Sequence, residues 1–160
     1  MQGPQGPAGP DPFTLKAILA ANAATGANTT PISLTGFSFA YEANSRYFID
    51  FAGAVQAAAN TTGSGFQLDT SSAVTRVGTT FTHQLANTGT VTGGSSIADD
   101  ASVGVSSGRP SANTDTPVMG SGYLVAGANA GTAQLRYRSE VAAVSTVMAG
   151  FMMRAMRMSA

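Results

Sequence analysis

Tyr47-Phe48-Ile49-Asp50-Phe51 sets three rings and an isoleucine around one carboxylate, the densest aromatic stretch of the chain, and its reading decides the fold. Aromatic and β-branched side chains favour a pleated, buried backbone, and the run stays apolar toward Val55, long enough for a central core strand. Upstream, Ile32 and Leu34 and then Phe37 and Phe39 mark a strand whose apolar face is reset by a kink at Gly36. Tyr41 to Arg46 then turns. Downstream, Phe66 to Asp69 places Phe66 and Leu68 on one face. Ala73 to Val77 and Thr79 to Leu85 follow as two further short strands, bounded by the Gly, Asn and Ser of hairpin loops.

From Ala86 to Ser121 the chain is rich in Gly, Ser, Thr, Asn and Asp, with weak strand signals only at Thr90 to Thr92 and Ala101 to Val105. It reads as the longest loop region, the kind of segment where functional surfaces concentrate. Order returns at Gly122-Tyr-Leu-Val-Ala-Gly-Ala, and Thr132 to Glu140 alternates with a period of two. Ala133, Leu135 and Tyr137 fall on one face, Gln134, Arg136 and Arg138 on the other. A turn at Asn129 to Gly131 predicts that these two segments pair as a hairpin.

Both ends admit two readings. Residues 13–28 carry Leu15, Ile18, Leu19 and Asn22 at helical spacing, yet a lone strand fits the short-strand rhythm that follows and is the preferred assignment. Gly150 to Met158 is compatible with an amphipathic helix. As a strand it puts Phe151, Met153 and Ala155 on one face and Met152, Arg154, Met156 and Met158 on the other. Both faces are then half apolar, which suits a strand covered by the sheet on one side and by a neighbouring subunit on the other, and we read it so.

Composition narrows the function classes. At 160 residues the chain is long enough for one domain with a real core. Eight basic residues balance eight acidic ones and only 10% of residues are charged, so neither nucleic acid nor an anionic membrane is an expected partner. The absence of cysteine removes disulfides, thiolate metal sites and cysteine nucleophiles. No apolar run reaches the ~20 residues of a membrane span, and MQGPQGPAGP lacks the regions of a secretory signal, so export by another route such as cell lysis is expected. An apolar content of 43% beside so little charge suggests surface buried in an oligomer, the alternative being a compact monomer with a polar Ser/Thr/Asn coat.

Gly3, Gly6 and Gly9 recur every third residue, each followed by proline: Pro4, Pro7 and Pro10. This is the collagen period, in which only glycine fits at the axis of three chains and proline pre-sets the extended backbone. The other reading of residues 1–12 is a disordered Pro/Gly-rich tail. Three triplets cannot hold three chains together alone, so a trimeric stem would depend on the domain at residues 13–160.

Catalytic chemistry finds few residues to use. His83 is the sole histidine, which excludes a two-histidine zinc site within one chain, and it reads as a polar surface residue on a short strand. Asp99-Asp100 and the region around Asp115 lack calcium-loop spacing, and Gly63-Ser-Gly65 lacks the lysine of a phosphate loop and reads as a hairpin turn. No catalytic residues, metal ligands or cofactors are therefore assigned. Arg136, Arg138, Arg154 and Arg157 supply four of the seven arginines, and would form a basic stripe if their strands were neighbours. Such a stripe reads either as a solvated sheet face or, together with Phe151 and Met153, as the candidate intersubunit or capsid contact with Glu140 or Asp50 as carboxylate partners, and we read it as the contact.

With these residues assembled, the chain resembles the collagen-stalked trimeric jelly-roll proteins of tailed bacteriophages, similar in plan to complement and tumour-necrosis-factor type heads. The resemblance rests on the Gly-Pro triplets and on Thr30-Pro-Ile-Ser-Leu-Thr-Gly-Phe-Ser-Phe39, Ala43-Asn44 and Tyr47 to Phe51. It continues with Ala58 to Gly65 before Phe66, Gly127 to Glu140, and Gly150-Phe-Met-Met-Arg. It implies an all-β, jelly-roll-like sandwich, homotrimeric, on the virion surface, with phage capsid or tail proteins as partners. Two roles follow: a non-enzymatic decoration or head-fibre protein, or a receptor-binding tail-fibre tip touching a host glycan or protein. The tip would call for an aromatic sugar platform, and residues 86–121 contain no aromatic side chain.

Overall fold

A computed structural model describes residues 13–84, 91–96, 108 and 111–158, so the stem assignment over 1–12 and the strand signal at 101–105 lie outside the described residues. The strands are β1 (Phe13–Ile18), β2 (Ala23–Ala24), β3 (Ile32–Tyr41), β4 (Arg46–Ala57), β5 (Ser64–Thr70), β6 (Val74–Gln84), β7 (Val91–Ser96), β8 (Thr116–Ala126), β9 (Gly131–Ser139), β10 (Ser145–Val147) and β11 (Met152–Met158). All described pairings are antiparallel. The large sheet runs β1-β11-β4-β8-β6-β7, with β2 and β10 joined to it along β4, and the small sheet runs β3-β9-β5. The two sheets pack face to face as a sandwich.

The aromatic run does form the central strand. Tyr47, Ile49, Phe51 and Val55 of β4 are buried while Phe48 turns outward, as a period of two requires. Phe66 on β5 stands at the centre of the core, its ring 5.1 Å from Phe51, 5.2 Å from Phe81, 4.9 Å from Tyr137 and 5.6 Å from Phe151. These contacts join strands of both sheets. Burying each such ring is worth about 1.5–3 kcal/mol. A polar seam runs beside them: the Tyr137 hydroxyl shares hydrogen bonds with Ser64 Oγ (2.9 Å) and Ser145 Oγ, and Ser145 Oγ donates to the Gln56 carbonyl at 3.0 Å. The seam ties β5 and β9 of the small sheet to β4 and β10 of the large one.

Gly36 sits at φ +84°, where the β3–β9 register shifts between Ser33 and Ser38, so the expected kink is a bulge that only glycine enters without strain. The first and last described segments, 13–24 and 145–158, are strands, and each is interrupted. β11 and β10 lie along the same edge of β4, separated by a turn in which Gly150 adopts φ +87°. At that break β4 contributes Gly53, whose missing side chain leaves room for Phe151; a Cβ there would come within 2.7 Å of the Phe151 backbone.

Four expectations are corrected. The two strands expected at 73–77 and 79–85 are one, β6, because Gly78 continues the ladder opposite Tyr123. The loop expected to extend to Ser121 ends earlier, since Thr116 to Ser121 already belongs to β8. Gly122 to Ala128 and Thr132 to Glu140 do not pair: β8 lies between β4 and β6, whereas β9 lies between β3 and β5, so the chain crosses from one sheet to the other at 127–130. Gly63-Ser-Gly65 is not a hairpin turn, because Ser64 and Gly65 begin β5 opposite Ser139 and Arg138.

A candidate interaction face on the large sheet

Strand register fixes what the outer side of the large sheet presents. Its residues align in rows that cross β1, β11, β4, β8 and β6. One row is Ile18, Met152, Ala52, Met119 and Thr82. The next is Lys16, Arg154, Asp50, Ser121 and Thr80. A third is Phe13, Met156, Phe48 and Tyr123, ending at Gly78. An ionic row thus lies between two apolar ones. The bulge between Phe13 and Leu15 turns Phe13 onto this side, where its ring lies 5.1 Å from Lys16 Nζ and 5.2 Å from Arg154 Cζ. Both cations lie within cation–π range of that ring.

The apolar side chains here stand well out of the chain's own core. Ile18 is 73% exposed and Met119 67%, with Met152, Tyr123, Phe48 and Met158 between 43% and 50%. The central charges are satisfied internally: Arg154 donates to both oxygens of Asp50, through Nε at 3.0 Å and through Nη2. Hydrogen bonding to Asp50, reinforced by its negative charge, raises the Arg154 pKa above its ordinary value. A shallow depression flanks the pair, walled by Met119, Met152 and Ala52.

The residues singled out from sequence separate. Arg154 lies on this face, but Arg136 and Arg138 belong to β9 in the small sheet, so the four arginines form no common stripe. Arg136 instead reaches Asp69 (3.5 Å) and the Pro31 carbonyl (3.4 Å). Arg157 pairs with Glu42 at 2.7 Å. Glu140, expected as an arginine partner, accepts the Gly63 N–H at 2.9 Å. Phe151 and Met153 are fully buried in the chain's own core, which removes them as contact residues because alternation on β11 turns them inward. What alternation leaves outside is the other set, Met152, Arg154, Met156 and Met158.

His83 is corrected as well. It is 2% exposed, stacked 6.5 Å from Phe81, because β6 runs straight through Gly78 and alternation carries Val77, Phe81 and His83 inward. Asp99 and Asp100 lie outside the described residues, and Asp115 accepts a 2.7 Å hydrogen bond from the Gln56 amide. Among the described residues no three His, Asp or Glu side chains gather as a metal-ligand set.

Met119 and Tyr123 were hidden from sequence reasoning for different causes. Met119 sits in a Pro-Val-Met-Gly-Ser stretch that has the composition of a loop, and Tyr123 gives no sign of which side it takes. The signal that was present is charge: Asp50 inside an aromatic run must face away from the core unless paired there, which turns Phe48 outward with it.

No known protein-family model matches the chain, and no curated protein does. Among solved structures it is similar to the N-terminal CBM22-1–GH10 modules of endo-1,4-beta-D-xylanase 10B from Clostridium thermocellum, complexed with xylohexaose. Identity there is 9% over 91% of this chain and 29% of that one, with a TM-score of 0.38. It is similar also to the infectious bursal disease virus Gx strain, at 10% identity over 89% of this chain and 35% of that one, with a TM-score of 0.26. The chain spans about a third of the length of these structures, and scores of this size carry no argument about function.

Proposed function

We propose that this chain is a non-enzymatic structural protein of a tailed-phage virion, a homotrimer with a jelly-roll-like head that decorates the capsid surface. One observation carries the reading: glycine at every third position, Gly3, Gly6 and Gly9, leads straight into the edge strand of a β-sandwich at Phe13. That period is the one a collagen-type axis of three chains requires. The triplets are too few to trimerise unaided, so the sandwich is the element that sets the chain count. Low charge and an apolar sheet face agree with a chain built to assemble.

The receptor-binding tip is retained as a second reading because Phe48 and Tyr123 are exposed cross-strand neighbours beside Asp50 and Ser121. Rings next to hydrogen-bonding groups are what a sugar platform needs. Mixing the purified full chain with emptied capsids and, separately, with host cells tests both. Binding to capsids supports decoration; binding to cells alone overturns it in favour of the tip. Antibody labelling of virions in the electron microscope places the protein on head or tail.

A further inference from the structure

Six of the eight large apolar side chains exposed among the described residues lie on one side of one sheet: Ile18, Phe48, Met119, Tyr123, Met152 and Met158. The other two, Val141 and Val144, lie in the turn before β10. We propose that this outer face of the large sheet is buried against a second copy of this chain, with its Phe13 corner turned toward the symmetry axis. The inference rests on the trimeric reading above, adds to it the surface and its orientation, and takes Phe48 and Tyr123 away from the sugar platform of the second reading, so it goes with decoration.

Three observations select a second copy as the occupant. The first is charge. Arg154 and Asp50 neutralise one another within the chain, so the face makes no strong demand for an acidic or basic partner and suits the sparsely charged surface of another copy. The second is where the remaining chain attaches. Residues 1–12 join at Phe13, on this face and on the edge strand of its sheet, so copies converging on this surface bring their Gly-Pro leaders out side by side. A face turned away from the axis would send the three leaders apart.

Area is the third. Four strand spacings of ~4.8 Å and six residues of rise at ~3.3 Å give a face of roughly 400 Å². That is the size of patch at which a soluble chain marks an interaction site, typically ~300–600 Å². It is about half of the ~800 Å² per partner in a standard two-body interface. A two-fold pair using this face alone would be undersized. A head-to-tail arrangement adds a different surface of the neighbour, and such contacts close into rings, of which three copies is the count the stem requires.

The test is native mass measurement of the full chain beside two double variants, Met119→Glu/Met152→Glu and Val141→Glu/Val144→Glu. Each adds the same charge to side chains exposed in the single chain, so far-ultraviolet circular dichroism should show both folded. The expected result is three chains for the parent and for the Val141/Val144 variant, and one chain for the Met119/Met152 variant. A trimeric Met119/Met152 variant overturns the assignment of this face while leaving the trimer intact. A parent that runs as one chain overturns the face and the trimeric reading together.

Discussion

Gly120→Ala adds one methyl group at the place where the core lies closest to the backbone of β8. A Cβ at that position would stand 2.1 Å from Cζ and 2.3 Å from Cε2 of Phe51. Ordinary carbon contacts lie at about 3.5–4.0 Å, so the ring must retreat by roughly 1.5 Å. It has little room to do so, because Phe66 and Phe151 stand behind it with ring centres 5.1 and 5.9 Å away. Overpacking of this kind costs about 1–3 kcal/mol. Replacing glycine in a compatible backbone returns about 0.4–1 kcal/mol by restricting the unfolded chain. The net expectation is a loss of about 1–2 kcal/mol in urea unfolding, compared at one protein concentration because association of any kind shifts apparent stability. In a Phe51→Leu background the same methyl should cost almost nothing, since the obstructing ring is gone, and the coupling in this double-mutant cycle should be about 1 kcal/mol or more. A Gly120→Ala protein as stable as the parent, or an equal penalty in both backgrounds, would refute the reasoning.

Tyr137→Phe removes the hydroxyl shared by Ser64 and Ser145 inside the sandwich, and a loss of about 1–3 kcal/mol should appear as a lower thermal midpoint without a change in strand content. Asp50→Asn breaks a pair that is exposed in the single chain, so the thermal midpoint should scarcely move; calorimetry finding a clear drop would show that the pair is shielded from water. Gly6→Leu should abolish any collagen-type circular dichroism signal from residues 1–12 and leave the melting of the sandwich in place, because the axial position admits no side chain. Loss of the sandwich transition in that variant would contradict the separation of stem and head.

The local patterns that survived into the structure are those with an unmistakable period. Alternation across 132–140 and across 150–158 separated Tyr137 from Arg136 and Met153 from Arg154 and favoured strand over helix at 150–158. Which face of the last strand turns inward was not legible, so Phe151 and Met153 were expected at a contact and are buried in the core instead. The aromatic run at 47–51 identified the central strand by its density of rings rather than by period. Pairing was less accessible, because it is decided by partners distant in sequence. A turn at 129–131 looks the same whether the chain folds back on its own sheet or passes to the opposite one, and here it passes across. Thr116 to Ser121 has loop composition because Gly120 must leave room for Phe51, a requirement set some seventy residues earlier. The candidate face was obscured by its own chemistry: methionines and rings destined for one side of the sheet are indistinguishable by type from those destined for the other.

β1 has β11 as its ladder partner, so the first described strand has no sheet to join until the last one exists. A ribosome delivers Phe13 to Ile18 early and Met152 to Met158 more than a hundred residues later, and the emerging chain must hold an unsatisfied edge throughout that interval. Pairing of β1 therefore waits for the synthesis of Met152 to Met158, and is slow as contacts between remote segments are. Fragments released before Met152 to Met158 is made would leave both β1 and the facing edge of β4 without a ladder partner there.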